Sequence, residues 1–240
     1  MRKSQLIYQY IREQGAVSKQ DIVIGLGLSL PTITQNLNNL AELGLIDTSK
    51  KISNTGGRNA TAYSYIEKAR YAVGLYLNRH HINCVAVDLS GNVISLIRVR
   101  ENFDLNDDNY LRKIGETVEE VKKDTGLSDD RFLGVGIAVQ GLISDDGERV
   151  TYGLTLNFTG VTRADIAKYI PYHNRLFHDS AAAGYAEVWD RNDLDDAFYL
   201  SLSNSVGGAV IVANKIFEGE RRKSGEIGHM TIIPKAGDRC

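Results

Sequence analysis

Five short stretches carry side chains able to hold a polyhydroxylated ligand: Gln140-Gly141, Asn157, His178-Asp179, Ser205-Val206-Gly207-Gly208 and Glu226-Ile227-Gly228-His229. Together they supply a carboxylate pair, an amide, an imidazole and glycine backbone. Carboxylates accept from hydroxyls, amides and imidazoles donate or accept, and glycine lets backbone come close. Each also has an ordinary reading: Asp179 as a helix N-cap, Asn157 as a turn residue, His229 as a loop histidine with a partner of its own. A second set is Thr32, Thr34, Gln35, Asn38 and Asn39, uncharged but rich in hydrogen-bonding groups. Gln and Asn pair bidentately with adenine edges, and Thr meets a base, a thymine methyl or a phosphate, so this set suits double-stranded DNA. Gly56-Gly57-Arg58 adds two glycines that permit positive φ and an arginine able to enter an A·T-rich minor groove. The alternative is a linker tip with a solvated arginine.

The elements that must position these groups follow from periodicity. Leu6, Ile7, Tyr10 and Ile11 recur at helical spacing, which predicts a helix from about Lys3 to Gln14 that Gly15 ends. Ser18 with Asp21 is a capping-box pattern and opens a second helix reaching about Gly25. Ser29 caps a third, with Pro31 in its first turn and Ile33, Leu37, Leu40 and Ala41 as one apolar stripe before Gly44. At 100° per residue Gln35 and Asn38 point away from that stripe, with Thr32, Thr34 and Asn39 on its flanks. Leu45–Thr48 and Ala60–Tyr65 read as two strands around a basic turn from Lys50 to Arg58. Three helices and a hairpin make a winged helix-turn-helix; a three-helix protein-interaction module is the competing reading.

Beyond it, Tyr71–Leu77, Ile82–Asp88 and Val93–Val99 are strand-like, followed by a helix from about Asn106 to Thr125 with Tyr110, Leu111, Ile114, Val118 and Val121 on its buried side. Phe132–Val139 suits a strand covered on both faces. A helix near Arg163–Tyr169, a strand at Arg175–Phe177, an Ala-rich helix from Ser180 to Trp189, and strands at Ala197–Ser203 and Ala209–Ala213 complete an α/β body. Its sites belong at strand C-termini, which is where the first group of residues falls.

Composition bounds the class. The chain has 240 residues, 42% of them hydrophobic and 24% charged, enough apolar content for a sizeable core and too much for disorder. No apolar run approaches the roughly 18 residues of a membrane span, and Met1-Arg2-Lys3-Ser4 leads into an amphipathic pattern, so a cytoplasmic protein is expected. Two cysteines, Cys84 and Cys240, give no disulfide framework. The net charge of −2 is unevenly spread: the first 65 residues carry seven basic and four acidic groups, and the remainder is acidic. That asymmetry suits a small module meeting a polyanion, joined to a body that does not.

The combination resembles the ROK family (repressor, open reading frame, kinase), and specifically its transcriptional regulators. The matching pieces are the helix Leu30–Leu43, Thr55-Gly56-Gly57-Arg58, the run from Gly134 to Gly141, Leu156-Asn157, His178-Asp179, Gly207-Gly208 and Gly225-Glu226-Ile227-Gly228-His229. The resemblance implies a winged helix followed by a sugar-kinase-like domain of the actin and hexokinase type. It implies that Asn157, Asp179, Glu226 and His229 are sugar-contacting positions, that Gly141 shapes the same pocket, and that Asp179 stands at the catalytic-base position of kinase members. His178 replaces the usual Asn there. Gly56, Gly57 and Arg58 correspond to a hinge that approaches DNA, and His229 and Cys240 to two ligands of a structural zinc site.

Kinase members carry Asp-x-Gly-Gly-Thr after the first strand. Here Leu75-Tyr76-Leu77-Asn78-Arg79-His80-His81 has neither the Asp nor the glycines, so positioning and charge neutralisation for phosphoryl transfer are missing. The expectation is a non-enzymatic, sugar-responsive DNA-binding regulator, most often a repressor in this family, with a sugar kinase carrying a DNA-binding arm and a DNA-binding protein with an unresponsive body as rivals. Expected domains are a winged helix over 1–65, a first lobe over 66–190 and the start of a second lobe over 191–240. Family members have a longer second lobe and further zinc-site cysteines. The resemblance therefore also predicts a chain truncated at its C-terminus, with no zinc of its own, that forms a homodimer when the body is complete.

Overall fold

Ser18 lies in extended backbone, its hydroxyl accepting from the Asp21 amide at 3.2 Å while the Asp21 carboxylate accepts from the Ser18 amide at 2.8 Å. This reciprocal box satisfies two amides that a helix start leaves unpaired. In the computed structural model it opens the second of three helices, α1 (Lys3–Gln14), α2 (Lys19–Leu26) and α3 (Leu30–Glu42). The structure describes residues 3–52, 60–189, 191, 195–202, 206–220 and 223–230. Because Ser18 is buried, Ser18→Ala will lower stability by about 1 kcal/mol, read as a lower denaturant midpoint at unchanged slope.

Two details differ from the pattern in the sequence. Helix α2 runs past Gly25 to a left-handed cap at Gly27 (φ 61°). Gly25 instead makes room for the Tyr10 ring, whose hydroxyl donates to the Asp21 carbonyl at 3.3 Å. Ser29 occupies the N-cap of α3 without bonding a helix amide; its hydroxyl pairs with that of Thr32 at 2.9 Å. Ile7, Ile11, Val17, Ile22, Ile33, Leu37, Leu40 and Ile46 form the core of this unit.

After α3, β1 (Ile46–Asp47), β2 (Lys51–Ile52), β3 (Ala60–Thr61) and β4 (Ser64–Tyr65) form two antiparallel pairs, β1 with β4 and β2 with β3. Pairing therefore reaches into the stretch expected as a turn from Lys50. Val17 and Tyr63 exchange backbone hydrogen bonds at 3.0 and 2.8 Å, tying the α1–α2 junction to the hairpin. A 3-10 turn over Glu67–Ala69 and an Arg70 guanidinium donating to the Leu43 carbonyl at 3.0 Å extend the unit past residue 65. The chain divides into two compact units, residues 1–71 and 72–240.

The second unit is built on β5 (Tyr71–Leu77), β6 (His81–Asp88), β7 (Val93–Arg100), α4 (Asp108–Asp124), β8 (Phe132–Val139), β9 (Leu142–Ile143), β10 (Val150–Tyr152), α5 (Arg163–Ile166), β11 (Asn174–His178), α6 (Asp179–Val188), β12 (Ala197–Leu202), β13 (Val206–Val212) and β14 (Lys215–Phe217). Five strands form a sheet in the order β11-β8-β5-β6-β7, and β12-β13-β14 form an antiparallel sheet. The β9–β10 hairpin was not legible as strands in the sequence. Alternation along β5 and β6 buries Val73, Leu75 and Leu77 with Ile82, Cys84 and Ala86 on one face, where α4 packs through Ile114, Val118 and Val121. Burial pushes the Cys84 thiol up to about 12. Among the described residues the opposite face is half covered, with Gly136 and Ala138 of β8 partly exposed.

Helix α5 is shorter than the expected Arg163–Tyr169. A Thr162–Asp165 capping box starts it, and residues 167–169 already turn away. The turn sends Lys168 and Tyr169 onto Asp108 at the start of α4, at 2.7 and 2.8 Å, with Arg112 on the other carboxylate oxygen at 2.9 Å. These donors depress the Asp108 carboxyl to about 2, the Lys168 and Tyr169 hydrogen bonds first. Folding therefore gains from Asp108 above the ordinary carboxylate value, and that gain disappears as pH falls from about 4 towards 2. Asp108→Asn will narrow the gap to the parent in denaturant midpoint across that window and leave it constant above pH 5.

Candidate functional site

β8 and β11 run parallel with Val139 level with His178. This register brings Gln140-Gly141 and Asp179 out of adjacent strands at the same edge, where α/β proteins bind ligands. Asp179 is the first residue of α6, and the N-cap itself is His178. The Asp179 Oδ1 accepts from the Ser180 amide at 2.7 Å and the Ser180 hydroxyl at 3.3 Å. Among the described residues Oδ2 takes no hydrogen bond and remains available as an acceptor. His178 Nε2 stands 3.5 Å from Asp179 Oδ1 and 3.8 Å from Glu226 Oε1, with all three side chains about three-quarters buried.

Glu226 comes from a loop laid directly on β13. A Cβ at Gly225 would collide with the Gly208 carbonyl oxygen, and one at Gly228 with that of Val206. Only glycine permits this contact, and it carries Glu226 to the cleft. Gly207 likewise leaves room for the Ser180 hydroxyl, 2.7 Å from where its Cβ would stand. The segment Val206-Gly207-Gly208 lies within β13 and is not the loop that its glycines suggested.

These groups line a polar cleft of about 140 Å³ together with Gln140, Gly141, Thr155 and Ser201. Tyr76, Tyr152 and Ser180 also line it, and sequence reasoning did not select them. The signal for Tyr76 was present in the strand alternation, which puts it on the face opposite Leu75 and Leu77. Gln140 donates to its hydroxyl at 3.3 Å, while burial and the Asp179 charge raise its pKa. Asn157 is not in the lining, which ends at Thr155; it occupies a turn at φ 53° with its amide on the Leu154 carbonyl. The backbone of His229 closes a 3-10 turn over Ile227–His229. The His229 side chain, Ser205 and Cys240 lie outside the described residues. Among the described residues no three His, Cys, Asp or Glu side chains gather as a metal site.

The stretch Leu75–His81 closes in a turn held by its own hydrogen bonds. Asn78 Oδ1 accepts from the His80 and His81 amides at 3.0 and 2.9 Å, and the Asn78 amide donates to the His81 carbonyl at 3.1 Å.

In the first unit, Gln35, Asn38 and Asn39 are exposed on α3, and Thr32 and Thr34 are half-buried beside them. Asn36, between them, turns back to donate to the Thr32 carbonyl at 2.8 Å. Gly56, Gly57 and Arg58 lie outside the described residues. Among the described residues no helix is long and apolar enough to cross a membrane.

The sequence profile of the ROK family matches residues 72–240. The chain belongs to the ROK family. Similar members include the xylose repressor of Bacillus subtilis strain 168, 24% identical over 95% of this chain and 59% of the repressor. The DNA-binding transcriptional dual regulator NagC of Escherichia coli K12 is 23% identical over 99% of this chain and 59% of its own length. Among solved structures, a ROK family transcriptional regulator homologous to the E. coli MLC protein superposes with a TM-score of 0.77 at 21% identity, covering 99% of this chain and 60% of its own. The ROK hexokinase of Thermus thermophilus gives 0.57 at 23% identity over 71% of this chain and 56% of its own. The chain thus spans about three-fifths of the length of the curated relatives it matches, and its body has the mixed α/β fold of ROK sugar-kinase-like proteins.

Proposed function

We infer that this ROK protein is a sugar-responsive DNA-binding transcriptional regulator, acting as a repressor. The observation that carries the reading is coverage. The likeness to sugar repressors and to a ROK regulator runs through 95–99% of the chain, including the three-helix unit, whereas the hexokinase matches 71%. On this reading the first unit is a winged helix-turn-helix. Its α3 enters the major groove with Gln35, Asn38 and Asn39 towards base edges and Thr32 and Thr34 beside them, and Gly56, Gly57 and Arg58 approach the minor groove. Two such units of a homodimer engage half-sites about one DNA turn apart.

The polar cleft is the effector site. Asp179 and Glu226 accept from sugar hydroxyls, His178 and His229 donate or accept, and Gly141 lets the backbone come close. The relative named for xylose supports a sugar as its occupant. The site performs no phosphoryl transfer, because Leu75–His81 has neither the Asp nor the glycines of kinase members. By the family resemblance His229 and Cys240 stand at two of the four ligand positions of a structural zinc site.

Sugar binding shifts the population towards a form that no longer fits the operator. The test is a shift assay of the full chain on DNA upstream of its own gene, with a panel of pentoses, hexoses and N-acetylhexosamines. Retarded DNA released by one sugar without ATP is the expected result. DNA retarded equally with every sugar favours the unresponsive body, and ATP turnover abolished in Asp179→Asn favours the kinase.

A further inference from the structure

Tyr152, Leu154 and Thr155 make one wall of the polar cleft. They belong to a loop closed at its base by its own bonds: the Phe158 amide donates to the Gly153 carbonyl at 3.0 Å, and the Gly153 amide to the Thr159 hydroxyl at 2.9 Å. Gly153 is required there, since a Cβ would stand 2.8 Å from the Phe158 ring. The tip is exposed, Leu154 by 64% and Tyr152 by 44%. Ordering exposed backbone costs entropy, and a wall built from it holds a ligand only in the fraction of molecules that have it in place.

A tie from outside the loop reaches that tip. The Arg79 guanidinium, in the turn between β5 and β6, donates to the Thr155 carbonyl at 2.7 Å across 76 positions of sequence. The turn is itself fixed: its Arg79 carbonyl accepts from the Phe103 amide at 3.1 Å, and the Asn78 side chain accepts from the His80 and His81 amides. The Phe103 ring packs edge-on against Phe158, 5.3 Å between centroids, and against Tyr110 of α4 at 5.7 Å. Phe103 thus holds Arg79 through its backbone and the base of the loop through its ring. Arg79 and Thr155 meet on a common support.

We propose that Arg79 is a positioning residue for the effector: its bond to Thr155 holds the loop as the wall of the polar cleft, and sugar affinity depends on that bond. The proposal rests on the sugar reading of the cleft and adds a residue that acts without touching the sugar. The bond is short and charge-assisted, but both partners are exposed, so it ranks with ordinary hydrogen bonds and its loss weakens sugar binding roughly three- to tenfold.

The experiment is calorimetry on the full chain with glucose, xylose and N-acetylglucosamine, beside chymotrypsin cleavage without sugar, followed by mass spectrometry at the bonds after Tyr152 and Leu154. Cleavage of a locally opened loop follows the population of the open form. Arg79→Ala will bind the parent's sugar roughly three- to tenfold more weakly and be cut faster at those two bonds by a similar factor, with cleavage elsewhere unchanged. One guanidinium nitrogen makes the bond, so Arg79→Lys will restore both readings. His80→Ala, in the same turn but directed to Asn102, will change neither. Unchanged sugar affinity in Arg79→Ala overturns the proposal whatever the cleavage rate, and leaves the sugar reading standing. Weaker binding without faster cleavage also overturns it, by assigning the effect to the charge of Arg79, as does a loss that Arg79→Lys fails to restore. Faster cleavage throughout the chain marks Arg79 as structural and overturns it too. No heat from any of the three sugars with the parent overturns the sugar reading and the proposal with it.

Discussion

Asp179→Asn will weaken the releasing sugar by two orders of magnitude or more and leave DNA affinity without sugar unchanged. The carboxylate keeps one oxygen for Ser180 and presents the other to the cleft. A hydrogen bond to a charged group contributes ~1.5–3 kcal/mol, and a carboxylate bridging two sugar hydroxyls makes two of them, giving ~3–6 kcal/mol or about 10²–10⁴ in affinity. Asparagine preserves the size and an acceptor for the Ser180 amide, so α6 keeps its start. What it removes is the charge and one acceptor, and the NH₂ group that replaces it faces hydroxyls whose donors then go unmet. Calorimetry with the sugar identified in the shift assay gives the first number and anisotropy on operator DNA the second. Sugar affinity within about threefold of the parent would remove Asp179 from the site. A parallel loss of DNA binding would instead mark the substitution as structural.

The parts of this site that could be read in advance are those that depend on one strand at a time. His178-Asp179 and Gln140-Gly141 each follow an apolar run, and strand ends in α/β proteins face ligands. Their juxtaposition depends on the parallel register of β8 and β11, which no local pattern specifies. Glu226 arrives through backbone contacts at Gly225 and Gly228 with a strand some twenty residues earlier, and glycine in the sequence reports permissiveness without naming the neighbour. The β9–β10 hairpin escaped because its strands are two and three residues long, too short for alternation to register. Helical limits fared better where a cap could be read, as at Ser18, and worse where a tertiary contact decided, as at Gly25 under Tyr10.

Replacing Gln35 and Asn38 together with alanine will cost operator DNA binding ~2–6 kcal/mol, because each bidentate pair with a base is worth ~1–3 kcal/mol. Both side chains are exposed on α3, and neither contributes to the core formed by Ile33, Leu37 and Leu40, so the unit will keep its fold and thermal midpoint. The loss must be specific to the operator. Binding to unrelated duplex, which rests on phosphate contacts, will be unchanged, and the slope of log affinity against log salt will stay the same, because no cation is removed. Asn36→Ala is the internal control: it lies on the same helix, but its side chain is turned back on the Thr32 carbonyl and offers nothing to a groove. Anisotropy titrations of the parent and the two variants on operator and scrambled DNA at two salt concentrations separate the possibilities. Equal losses on both duplexes would mean that α3 crosses the backbone without reading bases. A loss in Asn36→Ala equal to that of the double variant would assign the effect to helix stability, and the polar face of α3 would then belong to a protein partner.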